Sequence, residues 1–135
     1  MKHLVYLDAG VLIGAARGNS EVAQRAFKII NDPDVSFSSS IFVKLETLPK
    51  STYTKRQLES EFYESFFSAV SIWAKPTGEL VELALREATE YGLGAMDSLH
   101  LASAVATQSQ ELITTESQRK PIHRTKSMMV RTISS

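Results

Sequence analysis

The sequence predicts an α/β fold, a three-layer α/β/α domain with a mostly parallel central sheet. Leu4 to Leu7 is a continuous apolar run with the length and the β-branched or aromatic content of a strand covered on both faces. Strand-like and helical periodicities then alternate along the chain, with no repeat, low-complexity tract or linker between them. At 135 residues the chain suits one domain, residues 1–135. Such a domain buries roughly 65–70% of its unfolded surface without disulfides or structural metal.

The first strand breaks at Asp8, at the strand end where open α/β sheets bind ligands. Ala9 and Gly10 permit a tight turn, and Val11 to Ala16 reads as the first turns of a helix packed back on the sheet. Taken alone, Asp8 is an N-cap. Arg17-Gly18-Asn19 closes this helix and Asn19 or Ser20 caps the next. There Val22, Ala23, Ala26, Phe27, Ile29 and Ile30 recur at helical spacing until Asn31-Asp32-Pro33. Val35 to Ser38 alternates as a second strand. Ser39 or Ser40 caps a helix from Ile41 to Leu48, ended by Pro49 and carrying Glu46.

Thr54 to Gln57 has the spacing of a capping box. Leu58, Phe62 and Phe66, with Tyr63, Phe67 and Val70, draw an apolar stripe along the helix that follows, either as core or in part as a surface that buries a partner. Ser71 to Ala74 is a third strand, and Pro76-Thr77-Gly78 leads into a helix from Glu79 to Tyr91 that Gly92 and Gly94 end. GAMDSLHLASAVA, Gly94 to Ala106, is a small-residue helix with Asp97 in its first turn; Asp97, His100, Leu101 and Ala104 share one face. Glu111 to Thr114 is the next strand and runs on into Thr115-Glu116. Pro121 interrupts the following segment, and Met128 to Ile133 alternates as a final edge strand.

Composition excludes several chemistries. No cysteine is present, which removes thiolate catalysis, zinc-thiolate sites and disulfide frameworks and fits a reducing cytoplasm. His3, His100 and His123 lie too far apart for a local zinc motif. No apolar run approaches the ~18 residues of a membrane span, and the N-terminus reads as a strand rather than a secretory segment, so a cytoplasmic protein without membrane attachment is expected. Fifteen Lys and Arg balance fifteen Asp and Glu. The imbalance is local: Glu59 to Glu90 is acidic, whereas Arg119, Lys120, Arg124, Lys126 and Arg131 follow Ser117 without an acid.

Four acids stand at strand ends or on helices nearby: Asp8, Glu46, Asp97 and Glu116. Right-handed crossovers bring the carboxyl ends of parallel strands to one edge, so Asp8 and Glu116 should face one cleft that Glu46 and Asp97 enter from helices. Gathered carboxylates repel one another unless cations neutralise them, and all-oxygen ligands suit Mg²⁺ or Mn²⁺.

In LVYLDAGVLI with Asp8, SSSIFVKLET with Glu46, AMDSLHLASA with Asp97 and LITTE with Glu116, in that order over essentially the whole chain, the sequence resembles the PIN-domain nucleases, and among them the VapC-like toxins of type II toxin–antitoxin pairs. The resemblance implies an Mg²⁺- or Mn²⁺-dependent endoribonuclease in which Asp8, Glu46 and Asp97 hold the metal and Glu116 supports it directly or through water. Thr114 and Thr115 look like the family's hydroxyl-bearing strand end, where a hydroxyl holds a carboxylate or a water. Two positions depart from the pattern: Gly10 stands where many members carry Asn, Ser or Thr, and Glu116 and Gln118 stand where many carry acids, the first usually Asp. His100 follows Asp97 at the family's usual spacing and reads as a packed or hydrogen-bonded structural histidine.

Arg17, Lys44, Arg119, Lys120 and Arg124 are candidate RNA phosphate contacts. The resemblance also implies a cognate antitoxin protein and a homodimer, with the helix near Phe62 to Val70 as the contact surface. A haloacid-dehalogenase-type phosphatase needs a second Asp two residues after the first, where this chain has Gly10. A non-catalytic PIN-like RNA- or protein-binding module remains the alternative reading, since a fold survives the loss of its chemistry.

Overall fold

Residues 2–134 are described by a computed structural model; residues 1 and 135 of the expected domain lie outside the described residues. Five strands, β1 (His3–Leu7), β2 (Val35–Ser39), β3 (Ile72–Trp73), β4 (Glu111–Thr114) and β5 (Met129–Thr132), form one sheet in the order β3-β2-β1-β4-β5. Every neighbouring pair is parallel. Six helices connect them: α1 (Ala9–Arg17), α2 (Glu21–Ile30), α3 (Ile41–Tyr53), α4 (Gln57–Ala69), α5 (Gly78–Tyr91) and α6 (Ala95–Ala106). A single 3-10 turn, Pro121–Arg124, lies between β4 and β5.

The apolar run that opens the chain becomes the central strand, with Val5, Tyr6 and Leu7 buried between β2 and β4. From β1 the chain steps outward to β2 and β3 through α1 to α4, then crosses back through α5 and α6 to β4. Right-handed crossovers running in opposite directions place α1–α4 on one face and α5–α6 on the other. Contacts agree, α1 packing on α2, α3 and α4, and α5 on α6. The reversal falls between β1 and β4, so their carboxyl ends border the crevice where this architecture binds ligands. Leu12, Val43, Tyr63, Leu101, Leu112 and Ile113 fill the core around it. Ala84 and Ala102 belong to a second buried cluster, where small side chains let α5 and α6 approach.

Local signals mislead in two places. Pro49 does not end α3, which continues to Tyr53. Thr54 is consequently the C-cap of α3, its hydroxyl donating to Lys50 O at 2.7 Å, and not the start of a capping box; α4 begins after Arg56 with no side-chain cap. The aromatic stripe of α4 is mostly core. Tyr63, Phe66 and Phe67 are buried while Leu58 points outward, because Glu59 is drawn inward by two hydrogen bonds from Arg17 and one from the Tyr63 hydroxyl. Burial works against that charge, yet Arg17 and Tyr63 hold the Glu59 carboxyl below its ordinary pKa.

Candidate active site

Asp8 leaves β1 in extended conformation (φ −75°, ψ 170°) and caps α1, its Oδ1 accepting the Val11 N–H at 3.2 Å. Its own N–H donates to Ile113 O at 3.1 Å, which ties the end of β1 to β4. Capping and site chemistry are therefore not alternatives here. One carboxylate oxygen is committed to the helix, which fixes the orientation of the group at the switch point.

Glu46 approaches from α3 and Asp97 from the first turn of α6. Gly94 precedes α6 as its N-cap without a side chain, so Asp97 is not spent on capping. Glu46 is anchored instead by His100, whose Nε2 contacts Glu46 Oε1. His100 Nδ1 lies 2.8 Å from the Tyr6 hydroxyl, which is in turn 2.7 Å from Ser40 Oγ. This buried line joins β1, the start of α3 and α6, and burial carries the Tyr6 hydroxyl well above its ordinary pKa. Sequence reading gave His100 a structural hydrogen bond but did not foresee that its partner is a site acid. The one signal was a tyrosine inside a fully buried strand, since a buried hydroxyl needs a partner.

Glu116 follows β4 on a loop held by its backbone. Thr114 Oγ1 accepts the Glu116 N–H at 3.0 Å, His123 Nε2 donates to Glu116 O at 3.0 Å, and Ser134 Oγ donates to Thr115 O at 2.6 Å. His123 and Ser134 carried no sequence signal for this role. Thr115 also accounts for Gly10: a Cβ at position 10 would overlap the Thr115 hydroxyl and stand 3.4 Å from Asp8 Oδ1. The space that a side chain at position 10 would take is filled by Thr115, just beyond the end of β4.

Asp8, Glu46, Asp97 and Glu116 line one cavity of about 200 Å³, together with His100 and Thr115. A larger hollow of about 500 Å³ between α2 and β5 is lined by Arg25, Lys28 and Arg131 with Asp32 as its one acid, and holds none of the four. Asp8 and Asp97 sense their acidic neighbours electrostatically. Burial pushes the Asp8 carboxyl up to about 6; the Thr114 hydroxyl, His100 and the Val11 N–H pull against this, and Asp97 adds to it. Asp97 is raised by burial first and then by Glu116 and Glu46, with His100 and Lys120 opposing. Among the described residues no three acid or histidine side chains converge into a ready-made metal cage. The donor set still fits a hard divalent cation, because all four groups offer oxygen and their mutual repulsion is what such a cation relieves. Mg²⁺ characteristically takes one or two carboxylates and keeps its waters, so a cage is not required.

The basic candidates scatter. Lys120 is near enough to lower Asp97, and Arg119 is exposed on the same loop. Arg17 is engaged by Glu59. Lys44 lies over the Trp73 ring, 4.5 Å from its centre, on the far side of α3 from Glu46 by the roughly 200° that two helical residues subtend. Arg124 donates to Tyr91 O at the end of α5.

A sequence model of the family described as PIN domain matches residues 5–121. Comparison with curated proteins gives no significant match. Among solved structures, the chain is similar to VapBC2 from Rickettsia felis bound to a DNA fragment from their promoter, with TM-score 0.71 and 14% identity over 96% of this chain and 98% of that one. It is also similar to DNA-bound VapBC from Salmonella typhimurium, with TM-score 0.68 and 11% identity over 98% of each chain. A toxin–antitoxin complex from Klebsiella pneumoniae matches with TM-score 0.61 and 21% identity over 83% of this chain and 86% of that one. At these identities the likeness is one of fold.

Proposed function

We propose, from the premise that the chain belongs to the PIN-domain family, that it is a metal-dependent endoribonuclease and the toxin of a toxin–antitoxin pair, acting in the cytoplasm. The observation that carries this reading is the meeting of Asp8, Glu46, Asp97 and Glu116 around one cavity at the sheet's switch point. Bound Mg²⁺ or Mn²⁺ would supply a water of lowered pKa and stabilise charge on the phosphate.

The protein's own groups do the positioning. Asp8, fixed through Oδ1 by the Val11 N–H, and Asp97, raised by burial and then by its acidic neighbours, are the principal cation ligands. Glu46 and Glu116 complete the set from α3 and the β4 loop. The Thr114 and Thr115 hydroxyls support that loop and the space beside Asp8. Lys120, near enough to lower Asp97, and Arg119, exposed beside it on the same loop, are the RNA phosphate contacts of this reading; Arg17, Lys44 and Arg124, each already engaged, contribute at most from further along the RNA.

The partner reading is supported by toxin–antitoxin complexes of the same fold. Antitoxin and a second copy of the chain have exposed apolar side chains to cover, namely Ile41 and Leu45 on α3, Tyr53 at its end, Leu58 on α4, and Val81 and Leu85 on α5. These surfaces replace the α4 stripe, most of which is core.

Purified protein incubated with a pool of structured RNAs in Mg²⁺, Mn²⁺ or EDTA, alongside Asp97→Asn, tests the reading. Cleavage that requires metal and drops at least about a hundredfold in the folded variant is the expected outcome. RNA binding without cleavage under any metal would replace the enzyme with a non-catalytic RNA-binding module.

A further inference from the structure

Glu46 is the most exposed of the four acids, with 36% of its side chain accessible, and its three side-chain torsions leave it many rotamers. What restrains it lies inside the protein. His100, 3% exposed, sits between the Glu46 carboxylate and the Tyr6 hydroxyl, and Tyr6 and Ser40 are fully buried.

Hydrogen counting gives the line a direction. An ionised carboxylate only accepts, so His100 Nε2 carries the hydrogen in the Glu46 contact. In a neutral ring Nδ1 is then bare and accepts from the Tyr6 hydroxyl, whose oxygen accepts from Ser40. Each buried group in the line is satisfied, with no donor facing another donor.

We infer that His100 is a positioning residue of the cleft, using its Nε2–H, braced by Tyr6 and Ser40, to hold the Glu46 carboxylate in place before any divalent cation arrives. The inference rests on the nuclease reading for the cation. Its geometric part concerns this chain alone. A carboxylate ordered in advance loses less rotamer freedom on binding, and groups that orient a ligand from behind typically contribute 10–100-fold to metal affinity or activity.

The test titrates Mn²⁺ into the full chain and follows binding directly, by calorimetry or by the spin-resonance signal of free Mn²⁺. His100→Leu removes the donor and is expected to weaken Mn²⁺ binding about 10–100-fold. His100→Gln restores a donor near the Nε2 position and is expected to recover most of that loss, which a merely space-filling histidine would not predict. Tyr6→Phe nearly conserves volume, covers the case in which His100→Leu does not fold, and should weaken binding by a smaller factor. Long-range proton–nitrogen spectra of the metal-free protein read the ring itself: hydrogen on Nε2 is expected, and a bare Nε2 overturns the inference. Equal Mn²⁺ affinity, within twofold, in the unaltered chain and in folded His100→Leu also overturns it while leaving the nuclease reading intact. Failure of the unaltered chain to bind Mn²⁺ or Mg²⁺ removes both.

Discussion

Asp8 ends a strand, caps a helix and enters the cleft, and these roles make opposite demands on its charge. The cap needs an oxygen acceptor, the cleft needs a carboxylate, and burial opposes the carboxylate, lifting its pKa to about 6. Between its ordinary value and about 6, the folded protein holds a proton that the unfolded chain has released, so metal-free stability falls as pH rises through that window. Above it the cost of a buried charge stays, on the order of 1–3 kcal/mol for a shift of this size. Asp8→Asn keeps the acceptor for Val11 N–H and removes the charge. Urea unfolding at pH 7 without divalent ions is expected to find the variant more stable by that order, with the difference shrinking towards pH 4 and RNA cleavage lost. A variant less stable than the parent at pH 7 would mean that the charge is better compensated than its surroundings indicate. The sequence identified Asp8 but offered cap and ligand as competitors. It could not show that one carboxylate serves both, because the choice is set by β4, about a hundred residues further along the chain.

Helix α3 shows why element ends were harder to read than elements. Its interior proline removes one N–H and crowds the carbonyl of Leu45, so the local rule says stop. Pro49 is exposed and lies on the same side as the exposed Leu45, where water can take the orphaned carbonyl. Beyond it, Ser51 Oγ meets Ser60 Oγ at 2.7 Å, a contact with α4 that holds the last turn. Lys55 then reverses the chain with φ 58°. Tertiary contacts thus outweigh both the proline and the Thr54–Gln57 spacing. By contrast, α5 ends where the sequence ends it, at Gly92 with φ +71°, because that signal needs no distant partner. Pro49→Ala restores the missing hydrogen bond and relieves the clash, and thermal melts should show stabilisation of about 1–3 kcal/mol, at or below the intrinsic cost of an interior proline. Destabilisation instead would mean that the bend at Pro49 is packed against and needed, and Glu46, one turn earlier, would then move with it.

At the scale of the molecule, the parallel sheet, its central first strand and its last strand at an edge were the legible part, and the order of the others and the wiring between strands were not. Acids at the ends of β1 and β4 could be assigned to one edge from crossover handedness alone, and the sheet places them at its point of reversal. The Ser40–Tyr6–His100–Glu46 line and the His123 hold on Glu116 join residues that no periodicity relates, so only the folded chain shows them. The resulting cleft concentrates negative charge in a protein whose formal net charge is zero, so a divalent ion bound there would be a term in global stability rather than a local event. A cation that binds only the folded state stabilises it by about 2.7 kcal/mol at a hundred times its dissociation constant. Millimolar Mg²⁺ or Mn²⁺ should therefore raise the melting temperature, and the rise should be larger at pH 7.5 than at pH 5, where a proton on Asp8 competes for the site. Asp97→Asn should show a smaller rise at both values. The same rise at pH 5 and 7.5 in the unaltered chain would place the bound ion away from Asp8 and separate the metal from the cleft on which the nuclease reading depends.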